Sequence, residues 1–300
     1  MSDLARTLFQ ATRPLSFHAS AVPVAVGTAW GLHDGGSFHP TLFLLALSCA
    51  VCLHAGGNVV NDVGDELNGS DRLNHVHIQP FTGGSRLIQT GRLSVRAMAV
   101  WGAVLMVLGG GLGGILTMAK GPVALMFALV CFMLALAYSL PPMTLASRGL
   151  GEGTVAIAFG LPVPFAGWLQ SGQFSLEAMV AAVIVGCWTA AMLICTEIPD
   201  IRPDAAAGKR TLVVRLGIKR APSLYLAVQA TASALQLGLG WLADLPAWAT
   251  LPPVVTMLVA LAAAPMMMRD RPSQLSAIRL TLGIHLTGGL MLILSALSSH

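Results

Sequence analysis

Charge is what this 300-residue chain has least of: 10% of its residues are Asp, Glu, Lys or Arg, against about 25% in an ordinary soluble domain. A water-soluble fold is excluded on that ground. Cysteine is sparse as well, and Cys49, Cys52, Cys131, Cys187 and Cys195 all lie within or at the ends of apolar runs, so no disulfide framework is implied. The CxxC spacing of Cys49 and Cys52 has no second ligand pair nearby and reads as helix packing. Apolar–polar alternation is missing from the long hydrophobic stretches, which rules out a β-barrel.

What is present is apolar length. Hydrophobic residues make up 55% of the chain, and runs near the 17 to 25 residues of a membrane helix can be centred on 16–33, 40–60, 96–117, 122–140, 153–170, 176–195, 222–243, 248–268 and 278–297. The expected fold is all-α, a polytopic transmembrane bundle of about nine helices forming a single domain over 1–300. Arg6 and Arg13 before the first run imitate a signal peptide, but eight comparable runs follow. With the N-terminus inside, Lys120 alone of the seventeen Lys and Arg residues falls outside, which is the asymmetry that sets membrane topology. The net charge of +4 therefore reflects orientation in a cell inner (plasma) membrane and contact with membrane lipid, not nucleic-acid binding.

The connections at 61–95 and 196–221 are long, lie on the cytoplasmic side, and hold most of the acidic residues, so function is expected there. In the first, Asn58, Asp62 and Asp65 are spaced i, i+4 and i+7, which on a continued helix puts their oxygens on one face. Such a face suits a hard cation, and magnesium is commonly held by one or two carboxylates plus substrate phosphates. The second has Asp200 and Asp204 at i, i+4 with Glu197 three residues earlier, although Pro199 and Pro203 would kink or stop a helix there. Both segments follow an apolar run and precede cations, as in a weak internal duplication. Gly208-Lys209 is no P-loop, because Pro203 stands where that motif needs Gly and Arg210 where it needs Ser or Thr.

The stretch Asn58…Asn61-Asp62…Asp65…Asp71 resembles the first aspartate-rich motif of the UbiA superfamily of intramembrane prenyltransferases. Asp200…Asp204, followed by Gly208-Lys209-Arg210-Thr211 and Arg215-Leu216-Gly217, is similar to the second. Pro80-Phe81-Thr82-Gly83-Gly84-Ser85-Arg86 and Tyr138…Pro141-Pro142…Arg148-Gly149-Leu150-Gly151-Glu152 resemble segments of the family's menaquinone-pathway branch, which prenylates 1,4-dihydroxy-2-naphthoate. Thr196 stands where the family often has Asn, with Glu197 beside it as the alternative ligand.

The resemblance implies a UbiA-like bundle around a central cavity, Mg2+, a polyprenyl diphosphate donor and a lipophilic aromatic acceptor. It also implies roles. Asn58, Asp62, Asp65, Asp71, Asp200 and Asp204 are the expected metal ligands, with Asp62, Asp65, Asp200 and Asp204 the catalytic core. Arg72, Lys209, Arg86 and Arg210 are the expected diphosphate partners, and Tyr138 faces the allylic cation or the phosphate. The competing class is a cation-coupled membrane transporter, since intramembrane acidic groups and broken helices also mark ion pathways. His54 and His285 read as helix-packing residues, and the glycines at 109, 110, 111, 113 and 114 as close helix contacts.

Overall fold

A backbone crossing lipid must bond internally, which leaves helices and closed barrels as the spanning structures. The computed structural model describes residues 2–298, and its regular elements are all helices, with no strand among those residues. A short α1 (Asp3–Ala11) leads into α2 (His18–His33), α3 (Pro40–Asn68), the single turn α4 (Ser70–Leu73), α5 (Val95–Lys120) and α6 (Pro122–Ser139). Then come α7 (Gly151–Gly160), α8 (Pro162–Ser171), α9 (Leu176–Glu197), α10 (Ile201–Ala206), α11 (Leu212–Leu216), α12 (Ala221–Leu242), α13 (Leu251–Ala263) and α14 (Arg271–Leu297).

Local chemistry sets these boundaries. Ser94, Ser175 and Asp270 accept hydrogen bonds from the N–H of Ala97 (3.1 Å), Ala178 (3.2 Å) and Ser273 (3.1 Å), capping α5, α9 and α14. Pro40, Pro122 and Pro162 occupy first-turn positions, where a missing N–H does no harm. Gly69, at φ 87°, ends α3 in the left-handed conformation that glycine adopts without strain.

Seven stretches are long and apolar enough to cross a membrane: α3, α5, α6, the α7–α8 pair, α9 continued through α10, α13 with its flanking turns, and α14. The nine apolar runs of the sequence correspond to these seven and two further helices. Of the two, α2 has 16 residues, fewer than a perpendicular span needs, and α12 has 22 but is diluted by Gln229 and Gln236. The run at 153–170 is two helices meeting at Leu161, where Pro162 interrupts the backbone ladder.

Small residues let the helices approach closely. A Cβ added to Gly31 of α2 would sit 2.9 Å from the Gly167 Cα of α8, and one added to Gly167 would sit 3.1 Å from the Gly27 carbonyl, so these two helices cross backbone to backbone. Of the expected glycine contacts, Gly109 and Gly113 meet Leu53 and Ala128, whereas Gly111 and Gly114 face open space. Outward, α5 and α6 expose Val104, Val107, Met118, Met126 and Leu129, an apolar surface suited to lipid. Inward, Trp30, Ile184 and Trp188 are almost wholly buried. A cavity lies between α2, α3, α6, α7, α8 and α9.

Candidate active site

The cavity has a volume of about 790 Å³ and two chemically distinct ends. Asn58, Asn61, Asp65, Asp71, Asp200, Asp204 and Lys209 line one, and Ala46, Leu116, Phe127 and Phe165 line the other. The polar end exists because α3 stays helical through Asn68, carrying Asn58, Asn61, Asp62 and Asp65 around its last turns.

Asp62 is 2% exposed and is paired with the Arg13 guanidinium, while its other oxygen accepts from the Ser85 N–H at 3.0 Å. A Cβ placed on Gly84 would lie 2.8 Å from an Asp62 oxygen, 2.9 Å from an Asp71 oxygen and 3.4 Å from the Arg13 guanidinium. The loop around Gly83 and Gly84, both at positive φ, is thus threaded between the carboxylates of the first segment where a side chain has no room. Arg86 follows it and donates to the Asp71 carbonyl at 2.5 Å.

The second segment does not continue α9 as a regular helix. Pro199 tightens Ile198–Asp200 into a 3-10 turn before α10 begins, as the two prolines led one to expect. Asp200 is held by the first segment's own loop: the Asn74 amide at 2.8 Å, the Thr82 hydroxyl at 3.2 Å and the Gly83 N–H at 3.2 Å. Lys209 completes the junction, its ammonium lying 3.1 Å from Asp65 and 3.3 Å from Asp204. The two acidic segments, far apart in sequence, therefore face one another across the cavity mouth.

Their charges are mutually adjusted. Burial, reinforced by the nearby Asp65 carboxylate, pushes Asp71 up to about 7. Lys209 feels the opposite pull of burial, but Asp65 and Asp204 outweigh it and hold the ammonium charged.

Tyr138 also lines the cavity, as does Arg86. Two of the proposed diphosphate partners are placed elsewhere. Arg72 bonds Glu66 at 2.5 Å with 69% of its side chain exposed, and Arg210 is exposed beside Arg215, whose guanidinium bonds its carbonyl at 3.0 Å. Neither lines the cavity. Their sequence neighbours explain the swap: α4 turns Arg72 back onto α3, and Lys209 takes the inward position next to Arg210.

Arg13 and Asn74 join the site without having been singled out from sequence, and Asn61 and Thr82, which appeared there as motif positions without a role, join it too. Arg13 had been read only as topological charge, and Asn74 lies in a polar connection with no periodicity to mark it. His54 is also part of the cavity wall. Ser16 donates to the Arg13 carbonyl at 2.8 Å and accepts from Asn58 at 3.1 Å, so the His54 Nε2 at 3.3 Å is the donating nitrogen. Its Nδ1 then accepts from Ser20 at 2.9 Å. His54 so links Asn58 to α2.

The donor set at the mouth is all oxygen, which fits a hard cation. Among the described residues no three acidic, imidazole or thiol groups stand close enough together to cage one. One or two carboxylates per segment, with Glu197 Oε2 buried and unbonded beside them, suit magnesium arriving with phosphate oxygens rather than alone.

Comparison with known proteins identifies the family. The chain is 30% identical over 242 residues to a 2-carboxy-1,4-naphthoquinone phytyltransferase of Synechocystis, covering 80% of this chain and 76% of that one. It is 30% identical over 228 residues to a 1,4-dihydroxy-2-naphthoate octaprenyltransferase of Mycobacterium tuberculosis, covering 74% of each. Among solved structures, a UbiA homolog from Aeropyrum pernix superposes with a TM-score of 0.71 at 22% identity over 92% of this chain and 97% of that one. One from Archaeoglobus fulgidus, bound to DMAPP and Mg2+, superposes with a TM-score of 0.69 at 17% identity over 96% and 99%. Residues 20–286 match the UbiA prenyltransferase family, and with these segments in place the chain belongs to that family of multi-pass membrane prenyltransferases.

Proposed function

We propose that this protein transfers a prenyl group from a prenyl diphosphate to a naphthoate-type aromatic acceptor, with magnesium, at the cytoplasmic face of the plasma membrane. The observation that carries the reading is the junction of Asp65, Asp204 and Lys209 at the mouth of an apolar cavity. A diphosphate head needs the first and a prenyl tail the second. The relatives named for naphthoate substrates support the choice of acceptor.

Breaking the allylic C–O bond leaves the electron pair on a diphosphate oxygen, so charge there must be neutralised as it develops. Lys209, Arg13 and Arg86 lie at the mouth as fixed cations for the diphosphate, and Asp65, Asp71, Asp200 and Asp204 with Asn58, which line the cavity, would hold the metal; Asp62, off the cavity wall with its oxygens taken by Arg13 and the Ser85 N–H, positions Arg13. Magnesium, when bound with the diphosphate, supplies Lewis-acid neutralisation of the same oxygens. The acceptor's ring carbon then bonds to the allylic carbon, and the ring regains aromaticity by releasing the group that carbon carried, a proton or the carboxyl as CO2, while the apolar wall keeps out the water that would otherwise capture the allylic cation. Tyr138, at the boundary between the polar and apolar parts, stands where that cation forms.

The test is direct. Purified protein in detergent or lipid, given magnesium, labelled geranylgeranyl diphosphate and a panel of acceptors including 1,4-dihydroxy-2-naphthoate, is expected to move label into extractable prenylated naphthoate, and EDTA to abolish the transfer. Absence of turnover with every acceptor, together with cation-dependent uptake into proteoliposomes, overturns the reading in favour of a transporter.

A further inference from the structure

Two histidines line the cavity among the described residues, and they are bonded differently. His54 spends both ring nitrogens on Ser16 and Ser20. His18, the first residue of α2, spends one. Its Nδ1 lies 3.4 Å from the Nδ1 of His285 on α14, with ring centroids 5.2 Å apart and planes inclined at 58°. Leu282, one turn before His285, also lines the cavity, so α14 reaches the wall here. The Nε2 of His18 is left to bond what the cavity holds.

Two facing nitrogens share one proton, and the burial of His285 decides which ring carries it. His285 is fully buried, and its Nε2 has no partner. A buried N–H without an acceptor is a rarer defect than an unfilled lone pair, so the unpartnered Nε2 is the lone pair and the proton sits on His285 Nδ1. That N–H donates to His18 Nδ1. A neutral His18 must then carry its own proton on Nε2, because the bond at one ring nitrogen sets the state of the other.

We infer that His18 binds the carboxylate of the aromatic acceptor through its Nε2–H, with His285 as the positioning residue that fixes the tautomer. The inference rests on the prenyl-transfer reading above and adds the group by which the site selects its acceptor, an aromatic acid over the same ring without the acid. Lys209, Arg13 and Arg86 are committed to the diphosphate, and a carboxylate brought into an apolar cavity without a donor of its own is costly. A donor on a ring hydroxyl would withdraw the electron density with which the ring captures the allylic cation, whereas a donor on the carboxylate leaves that oxygen alone. The position suits the task. His18 follows by two residues Ser16, whose hydroxyl accepts from Asn58 at 3.1 Å, and two residues span at most about 7 Å. The imidazole is thus held next to the diphosphate end, where the reacting carbon must lie.

The test compares 1,4-dihydroxy-2-naphthoate with 1,4-dihydroxynaphthalene, which lacks the carboxylate. His18→Phe keeps a ring without the donor, and His18→Asn keeps an acceptor for His285 but does not reach the cavity as far as Nε2 does. Each is expected to raise the KM for the naphthoate by about tenfold or more, to lower its kcat/KM relative to dihydroxynaphthalene by a similar factor, and to leave the KM for the prenyl diphosphate in place. His18→Gln, whose amide N–H reaches the Nε2 position, is expected to recover most of the loss. His285→Leu is expected to raise the same KM, and His285→Asn, which donates from the Nδ1 position, to lower it again. An unchanged naphthoate KM in His18→Phe and His18→Asn, or a loss shared equally by both acceptors, overturns the assignment. Equilibrium binding of 1-hydroxy-2-naphthoate to the same proteins separates this failure from that of the reaction. Binding weakened by His18→Phe, with no turnover of any acceptor by the wild type, overturns prenyl transfer and keeps the carboxylate site; binding equal in wild type and both His18 variants overturns the site itself.

Discussion

A carboxylate buried as deeply as Asp62 needs a partner for each oxygen, and it has them in Arg13 and the Ser85 N–H. Asp65 and Asp204 share Lys209 in the same way. Such pairing holds acidic groups ready for a cation without leaving bare negative charge inside the protein. Replacing Asp62, Asp65, Asp200 or Asp204 singly with Ala is therefore expected to reduce kcat by about 100-fold or more, while melting in detergent stays that of a folded protein; full activity in any one of the four contradicts the shared site. Gly84→Ala is a sharper probe. The residue sits at φ 71° with Asp62 and Asp71 against it, so the methyl group strains the backbone by about 1–2 kcal/mol and spreads the two carboxylates. The expected result is a raised magnesium requirement in the transfer assay, and an unchanged magnesium dependence speaks against the threading of that loop.

At the scale of the element, the long apolar helices were legible from the sequence because length and hydropathy decide them almost alone. The acidic segments were legible from their spacing. Which cation points inward was not: Arg72 and Lys209 look equivalent in the sequence, and only the reversal of α4 onto α3 separates them. Nor was the part played by Arg13, which comes from a short kink between α1 and α2 that no periodicity announces. The crossing of α2 and α8 belongs here too. Gly31→Leu would drive a side chain into the α8 backbone, and overpacking of this kind costs about 1–3 kcal/mol. A lowered melting temperature in detergent is the expected readout, and unchanged melting would show that the two helices have room to separate.

For the whole molecule, the distribution of basic residues is the basis on which we propose a cytoplasmic site. In a variant stripped of its native cysteines, a cysteine at Gly208 is expected to react with an impermeant maleimide only in inside-out vesicles, and one at Gly35 only in right-side-out vesicles. The reverse pattern would invert the molecule and move the site to the opposite face. The order of the chain also has a consequence in time. Arg13, Asp62, Asp71 and the Gly83–Gly84 loop are complete once Arg86 has been made, but Asp200 lies 114 residues later, on the order of 6–23 s at a typical synthesis rate of about 5–20 residues per second. During that interval the ribosome holds a half-built pocket whose carboxylates have Arg13 but not yet Lys209. Arg13 thus gives Asp62 its counter-charge before the second half of the pocket exists.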